Sequence, residues 1–253
     1  MNKKKNPKTI EVKERIKLKI GDKEYEFEFN TPTPEFYNDL YDEITLGTDG
    51  VKVMPLNKIQ VLDSAGAVGA EITSANWSLT KGTAKITISG SATWNSDNPP
   101  ARLKILNTVE IEYFETSLPA GISAQRGLPI TVTWEASFSM NISSATGYLA
   151  GSNIIYVVYL DKLVDILANQ REGKSLAIRK ASYYYTDNYE WVVDVLGSIT
   201  QHSLRIPPTQ VPKAGSINSM FLCTSTNICF TFVFSSPLNV SSGDYVSLDI
   251  YFV

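Results

Sequence analysis

The chain has 253 residues, 43% of them apolar and only 19% charged. That composition excludes a disordered or low-complexity polymer and leaves room for one large β domain or two of about 100 to 125 residues. The net charge of −3 conceals an asymmetry, because the first 30 residues hold nine basic and six acidic side chains, leaving fourteen basic and twenty acidic for the rest. The chain therefore reads as a short cationic tail on an acidic body.

Residues 1–9 form a basic arm carrying Lys3, Lys4, Lys5 and Lys8. Two readings stay open for it. It is a solvated terminus, or it is an arm that touches nucleic acid, an anionic inner membrane surface or an acidic neighbour, each cation displacing a counterion. No apolar run follows Met1–Lys8, so no signal peptide is expected. The longest candidate for a membrane span, Tyr148–Leu160, contains Gly151, Ser152 and Asn153 and is too short and too polar to cross a bilayer.

A β-hairpin comes next. Ile16, Leu18 and Ile20 alternate with Arg15, Lys17 and Lys19, Gly21-Asp22 supplies a turn, and Tyr25, Phe27 and Phe29 alternate with Glu24, Glu26 and Glu28. One face is apolar, and on the other a basic strand meets an acidic one, which favours this pairing. Thr33-Pro34-Glu35 then begins a short helix with Phe36, Leu40 and Ile44 at four-residue spacing, ending before Gly47. A second apolar segment of this kind, Leu163–Leu167, ends before Gly173. From Ile72 onward the pattern is β, with strands every 10 to 15 residues separated by turn clusters such as Asn95–Pro100 and Ser235–Asp244.

One pattern occurs twice. Pro99-Pro100, Arg102–Leu106, Ile111–Phe114, Gly127 and Ile130–Phe138 are echoed by Pro207-Pro208, Met220–Cys223, Cys229–Phe234, Gly243 and Val246–Val253. Trp77 and Trp191 recur at a separation of 114 residues, Lys58 and Lys180 at 122. The expected fold is all-β: two tandem antiparallel β-sandwich, jelly-roll-like domains, residues 10–145 and 146–253, with few short helices. Ala136–Leu160 and Ala214–Gly243 contain no charge. They are either interior strands or surfaces covered by a neighbouring subunit.

Residues suited to catalysis are few. The single histidine, His202, has no nucleophile-elbow motif to serve, and there is no phosphate-binding loop or dinucleotide fingerprint. Asp39, Asp42 and Glu43 cluster on the first helix, and Asp187, Glu190 and Asp194 lie near Trp191, but no spacing favours a catalytic pair. No cofactor, no metal and no enzymatic activity are expected. Tyr184 and Trp191 are the candidates for contact with a glycan or receptor. Cys223 and Cys229 flank a five-residue loop. A disulfide there would contribute about 2 kcal/mol, while reduced core thiols are expected in a mesophilic cytosol.

The segment Ala101–Asn107, the strand Val109–Phe114, Leu118-Pro119, Ile122-Ser123, Gly127 and the strand through Trp134 resemble the repeated β-sandwich units of virion structural proteins. Phe230–Phe234, Pro237-Leu238, Val240-Ser241, Gly243 and Val246–Phe252 fit the same outline, as do Lys58–Asp63 and Gly66. Similar units occur in turret, spike and capsid components of archaeal viruses and in phage head or tail decorations. The resemblance implies a non-enzymatic virion protein, made in a host cytoplasm, that forms homo-oligomers and meets other virion proteins. The alternative is a module that binds a host surface glycan or receptor.

Overall fold

The computed structural model describes residues 10–29, 32–46, 51–140, 153–155, 157–172, 175–198, 202–224 and 228–252. In the first half these residues form β1 (Ile10–Ile20), β2 (Lys23–Phe29), α1 (Pro34–Thr45), β3 (Leu56–Asp63), β4 (Val68–Thr73), β5 (Trp77–Gly82), β6 (Lys85–Thr93), β7 (Pro100–Asn107), β8 (Glu112–Ser117) and β9 (Pro129–Met140). The second half holds β10 (Asn153–Ile155), α2 (Val157–Leu167), β11 (Lys180–Tyr185), β12 (Glu190–Asp194), β13 (Leu196–Ser198), β14 (Ser203–Gln210), β15 (Gly215–Cys223), β16 (Ile228–Val240) and β17 (Tyr245–Tyr251). The fold is all-β and antiparallel, with two short α-helices.

The strands make four sheets, ordered β2-β1-β9-β6-β5 and β4-β3-β7-β8 in the first half, β10-β16-β15-β11-β12 and β13-β14-β17 in the second. No described sheet mixes strands from before Met140 with strands from after Asn153. In the first half the two sheets face each other across Trp134 of β9 and Phe114 of β8, whose rings lie 4.9 Å apart. Alternation drives this layering: Ile130, Val132, Trp134 and Ala136 are fully buried, while the residues between them are partly exposed.

The N-terminal hairpin forms as its charges require. Lys17 pairs with Glu26 and Arg15 with Glu28 in register, and Arg15 and Lys17 both reach Glu26 at 3.4 Å. The pattern did not foretell that β1 also pairs with β9 along its whole length, from Ile10↔Met140 to Ile20↔Ile130. Helix α1 begins as expected, with the Thr33 hydroxyl accepting a hydrogen bond from Phe36 N at 3.3 Å and Pro34 in the first turn. Helix α2 begins six residues before Leu163, so it reaches back into the uncharged stretch that precedes it.

The two halves repeat one plan, residue by residue. The order β4-β3-β7-β8 matches β12-β11-β15-β16, and β5-β6-β9 matches β13-β14-β17. Leu62↔Arg102 through Lys58↔Leu106 correspond to Tyr184↔Ser219 through Lys180↔Cys223, and both ladders carry a bulge before the next pair. The isolated bridge Pro32↔Phe114 corresponds to Ile155↔Phe230. Phe36 of α1 meets Phe114 at 5.0 Å, and Tyr159 of α2 meets Phe230 at 5.3 Å. The turns agree too: Gly127 (φ +89°) and Gly243 (φ +94°) close matching loops, and Ala84 (φ +48°) and His202 (φ +45°) hold matching left-handed positions.

This register retains Lys58 and Lys180 as equivalents but corrects two other correspondences. Trp191 lies in β12 and matches Ala70 of β4, whereas Trp77 opens β5, whose counterpart is β13. Pro100 matches Ile217, while Pro207 and Pro208 lie in the β14 bulge opposite β17. Tryptophans and prolines recur by chance more readily than ladder registers do. The uncharged Ala214–Gly243 stretch supplies β15 and β16, and β15 is interior, lying between β11 and β16.

The β3–β4 turn gives a pH prediction. The Asp63 carboxylate accepts hydrogen bonds from Ala65 N and Ala67 N, both 2.9 Å, from Ser96 Oγ at 2.5 Å and from Asn98 Nδ2 at 3.2 Å. These donors, the Ser96 hydroxyl foremost, lower its pKa to about 2. A depressed carboxylate contributes fully above the ordinary value near about 4 and is lost as pH falls through the folded value. Asp63→Asn should therefore flatten the stability–pH profile between about 4 and about 2. Thermal melts at pH 6, 4 and 2 check this, and an unchanged acid slope would contradict it.

Candidate functional site

Asp39, Asp42 and Glu43 of α1 are all engaged, and two of them reach across the chain. Asp39 accepts a hydrogen bond from the Tyr113 hydroxyl at 2.7 Å, and burial raises its pKa. Asp42 meets His202 Nε2 at 3.1 Å. Glu43 is fully buried and accepts from Lys52 N at 3.1 Å and Val53 N at 2.8 Å. Its two oxygens also take a bidentate pair from Arg171 at 2.8 and 2.9 Å. Arg171 Nη2 further donates to the Val53 carbonyl.

His202 and Arg171 belong to a contact in which each half uses its helix to hold the other. The last turn of α1 packs on the second half: Tyr41 meets His202 at 5.7 Å and Phe252 at 5.9 Å, and Ile178 N donates to Ile44 O at 3.0 Å. Helix α2 does the reciprocal, its Asp161 accepting from Ala84 N at 2.7 Å and its Asp165 pairing with Lys81. Ala84 is the counterpart of His202, and Asp165 that of Asp42. Contacts of this mutual kind close after two copies. A shallow pocket of about 380 Å³ lies in the α2 contact, lined by Lys81, Gly82, Thr83, Asp161, Val164 and Asp165.

Tyr184 and Trp191 do not converge. Trp191 is paired with Tyr183 and stacks on it at 5.1 Å, while the neighbouring Tyr184 pairs with Glu190 on the opposite face and meets Phe221 edge-on at 4.7 Å. Burial and the Glu190 carboxylate raise the Tyr184 hydroxyl's pKa. The two rings therefore cannot make one platform. At the end of this hairpin Lys213 lies 4.6 Å over the Tyr189 ring and pairs with Asp187 at 2.5 Å, which fixes the turn.

Lys3, Lys4, Lys5 and Lys8 lie outside the described residues, as does the side chain of Cys229. Cys223 is a free thiol whose backbone pairs with Ile228 across a bulge, and burial raises its pKa. Among the described residues no group of three or more His, Cys, Asp and Glu stands ready for a metal ion, and no helix is long and apolar enough to cross a membrane.

Sequence reasoning missed Arg171 and His202's partner, and it located the strand at Val246–Val253 without its position at a sheet edge. One signal for the first was available. Glu43 falls seven residues after Phe36, on the apolar stripe of α1, and an acid there needs a buried cation. No protein-family model matches the chain, and neither a curated protein nor a solved structure matches it.

Proposed function

We propose that this chain is a non-enzymatic structural protein: a β-sandwich building block of a virion, in the manner of a turret, spike, collar or capsid decoration, that acts by symmetric self-assembly. The observation that carries the reading is the reciprocal lock between the halves. It joins two matching sandwich repeats into one stiff unit and spends Asp42, Glu43 and the one histidine on structure. The strand-and-turn resemblance to virion sandwich units supports the particular setting. The lysine arm supplies a grip on a neighbour or on the particle interior.

Light scattering over a concentration series, on the whole chain and on a variant lacking residues 1–9, tests this. A defined oligomer is expected, and retention of that mass without the arm would place assembly in the folded body. A monomer at every concentration would overturn the reading and favour the glycan- or receptor-binding alternative, to be followed by a glycan screen.

A further inference from the structure

The repeat exposes a difference between its two copies. In the first half the outer side of β9 is covered by β1, and Val132, Trp134 and Ala136 are fully buried. Their counterparts Val246, Leu248 and Ile250 in β17 are only half-buried, because among the described residues no strand lies beyond β17. Its opposite face carries Tyr245 and Tyr251, which are 67% and 59% exposed and exceed every other large apolar side chain described.

Four other sheet edges are blunted. β2 bears Lys23, Glu24, Glu26 and Glu28, β12 begins and ends on acids, and β10 and β13 are three residues long. β17 spans seven residues with no proline, and its one charge, Asp249, is taken by Arg205 of its own sheet at 2.8 Å. An open edge of this length and low charge is a template for another strand.

We infer that the outer edge of β17 is the contact through which two copies of this chain pair, strand to strand and antiparallel about a twofold axis at Leu248. The inference rests on the self-assembly reading and names the surface that assembly uses. Symmetry and the two-residue side-chain period restrict the register. A twofold that keeps both apolar faces on one side must pass through a residue, and Leu248 is the midpoint of the strand.

That register is self-complementary. Tyr245 faces Tyr251 of the second copy, Ser247 faces Asp249, Val246 faces Ile250 and Leu248 faces itself. Aromatic pairs, an aliphatic seam and a hydroxyl–carboxylate pair are the combinations that stabilise adjacent strands. The three-stranded sheet becomes a continuous six-stranded one, and the half-buried seam of Val246, Leu248 and Ile250 gains the cover that β1 gives β9.

Charge variants at the two exposed tyrosines test the register without touching the core. Tyr245→Lys with Tyr251→Lys sets lysine against lysine at both ends of the seam, and dimer affinity should fall by about tenfold or more. Tyr245→Lys with Tyr251→Glu sets lysine against glutamate and should recover most of that loss. Sedimentation velocity on the full chain reads both. As a second readout, Tyr245→Cys mixed with Tyr251→Cys should form an interchain disulfide under mild oxidation. Neither should do so alone, since each residue lies roughly 20 Å from its own copy across the twofold. An oligomer that both charge variants leave unchanged overturns the β17 contact while leaving self-assembly standing. A wild-type chain that is monomeric at every concentration overturns both.

Discussion

Glu43→Ala is expected to cost about 3–5 kcal/mol of folding stability, and Arg171→Ala a comparable amount. Glu43 is fully buried and holds four donors: Lys52 N, Val53 N and two guanidinium nitrogens of Arg171. Removing the carboxylate leaves two backbone N–H groups and a partly buried cation without their acceptor. Removing the guanidinium leaves a buried charge that only two neutral donors satisfy. The cost therefore belongs largely to the stranded partner. A double variant, Glu43→Met with Arg171→Met, should recover much of the loss, because each apolar chain removes the other's unpaired charge. Urea unfolding of the wild type, Glu43→Met, Arg171→Met and the double variant closes the cycle and measures the coupling, with the two Ala variants read beside it. Single variants that cost under about 1 kcal/mol would mean that the pair behaves as an ordinary surface bridge.

Gly197→Ala should be the other severe substitution. A Cβ built on Gly197 would lie 1.5 Å from the Thr45 carbonyl oxygen and 2.5 Å from its carbon. Both are backbone atoms at the end of α1, so neither can swing away, and β13 or the helix end must move. A cost at the upper end of overpacking, about 3 kcal/mol, is expected. The matching control is Gly82→Ala, where the new methyl meets only Lys85 side-chain atoms at 3.7 Å or more and stability should change by less than about 0.5 kcal/mol. If Gly197→Ala melts with the wild type while Gly82→Ala does not, the close approach of β13 to α1 is refuted.

These two positions mark the boundary of what was legible in the sequence. Local pattern located the β1–β2 hairpin, its charge pairing and the capped start of α1, because each depends on neighbours within a few residues. The repeat was legible in outline. Lys58 and Lys180 matched because they open equivalent ladders, whereas Trp77 and Trp191 matched only in residue type. Contacts across long stretches of chain were not legible. Glu43 and Arg171 are 128 residues apart, and β1 enters a sheet beside a strand some 120 residues later. Of the candidate contact residues, Tyr184 and Trp191 lie close along the chain. The two-residue period of the strand puts them on opposite sides of the hairpin.

The reciprocal hold of α1 and α2 has a consequence for how such a molecule meets dilution. A single sandwich carrying these contacts would associate with a second copy through the same surfaces, and its pairing would weaken as concentration fell. With both copies on one chain, the partner is held at an effective concentration set by the linker and independent of how much protein is present. The two copies are then free to differ, and they have: where one turn carries Ala84 the other carries His202, and where one helix buries Glu43 the other buries Ile166. The tether makes pairing unconditional within the chain and leaves concentration to govern only what happens at the edge of β17.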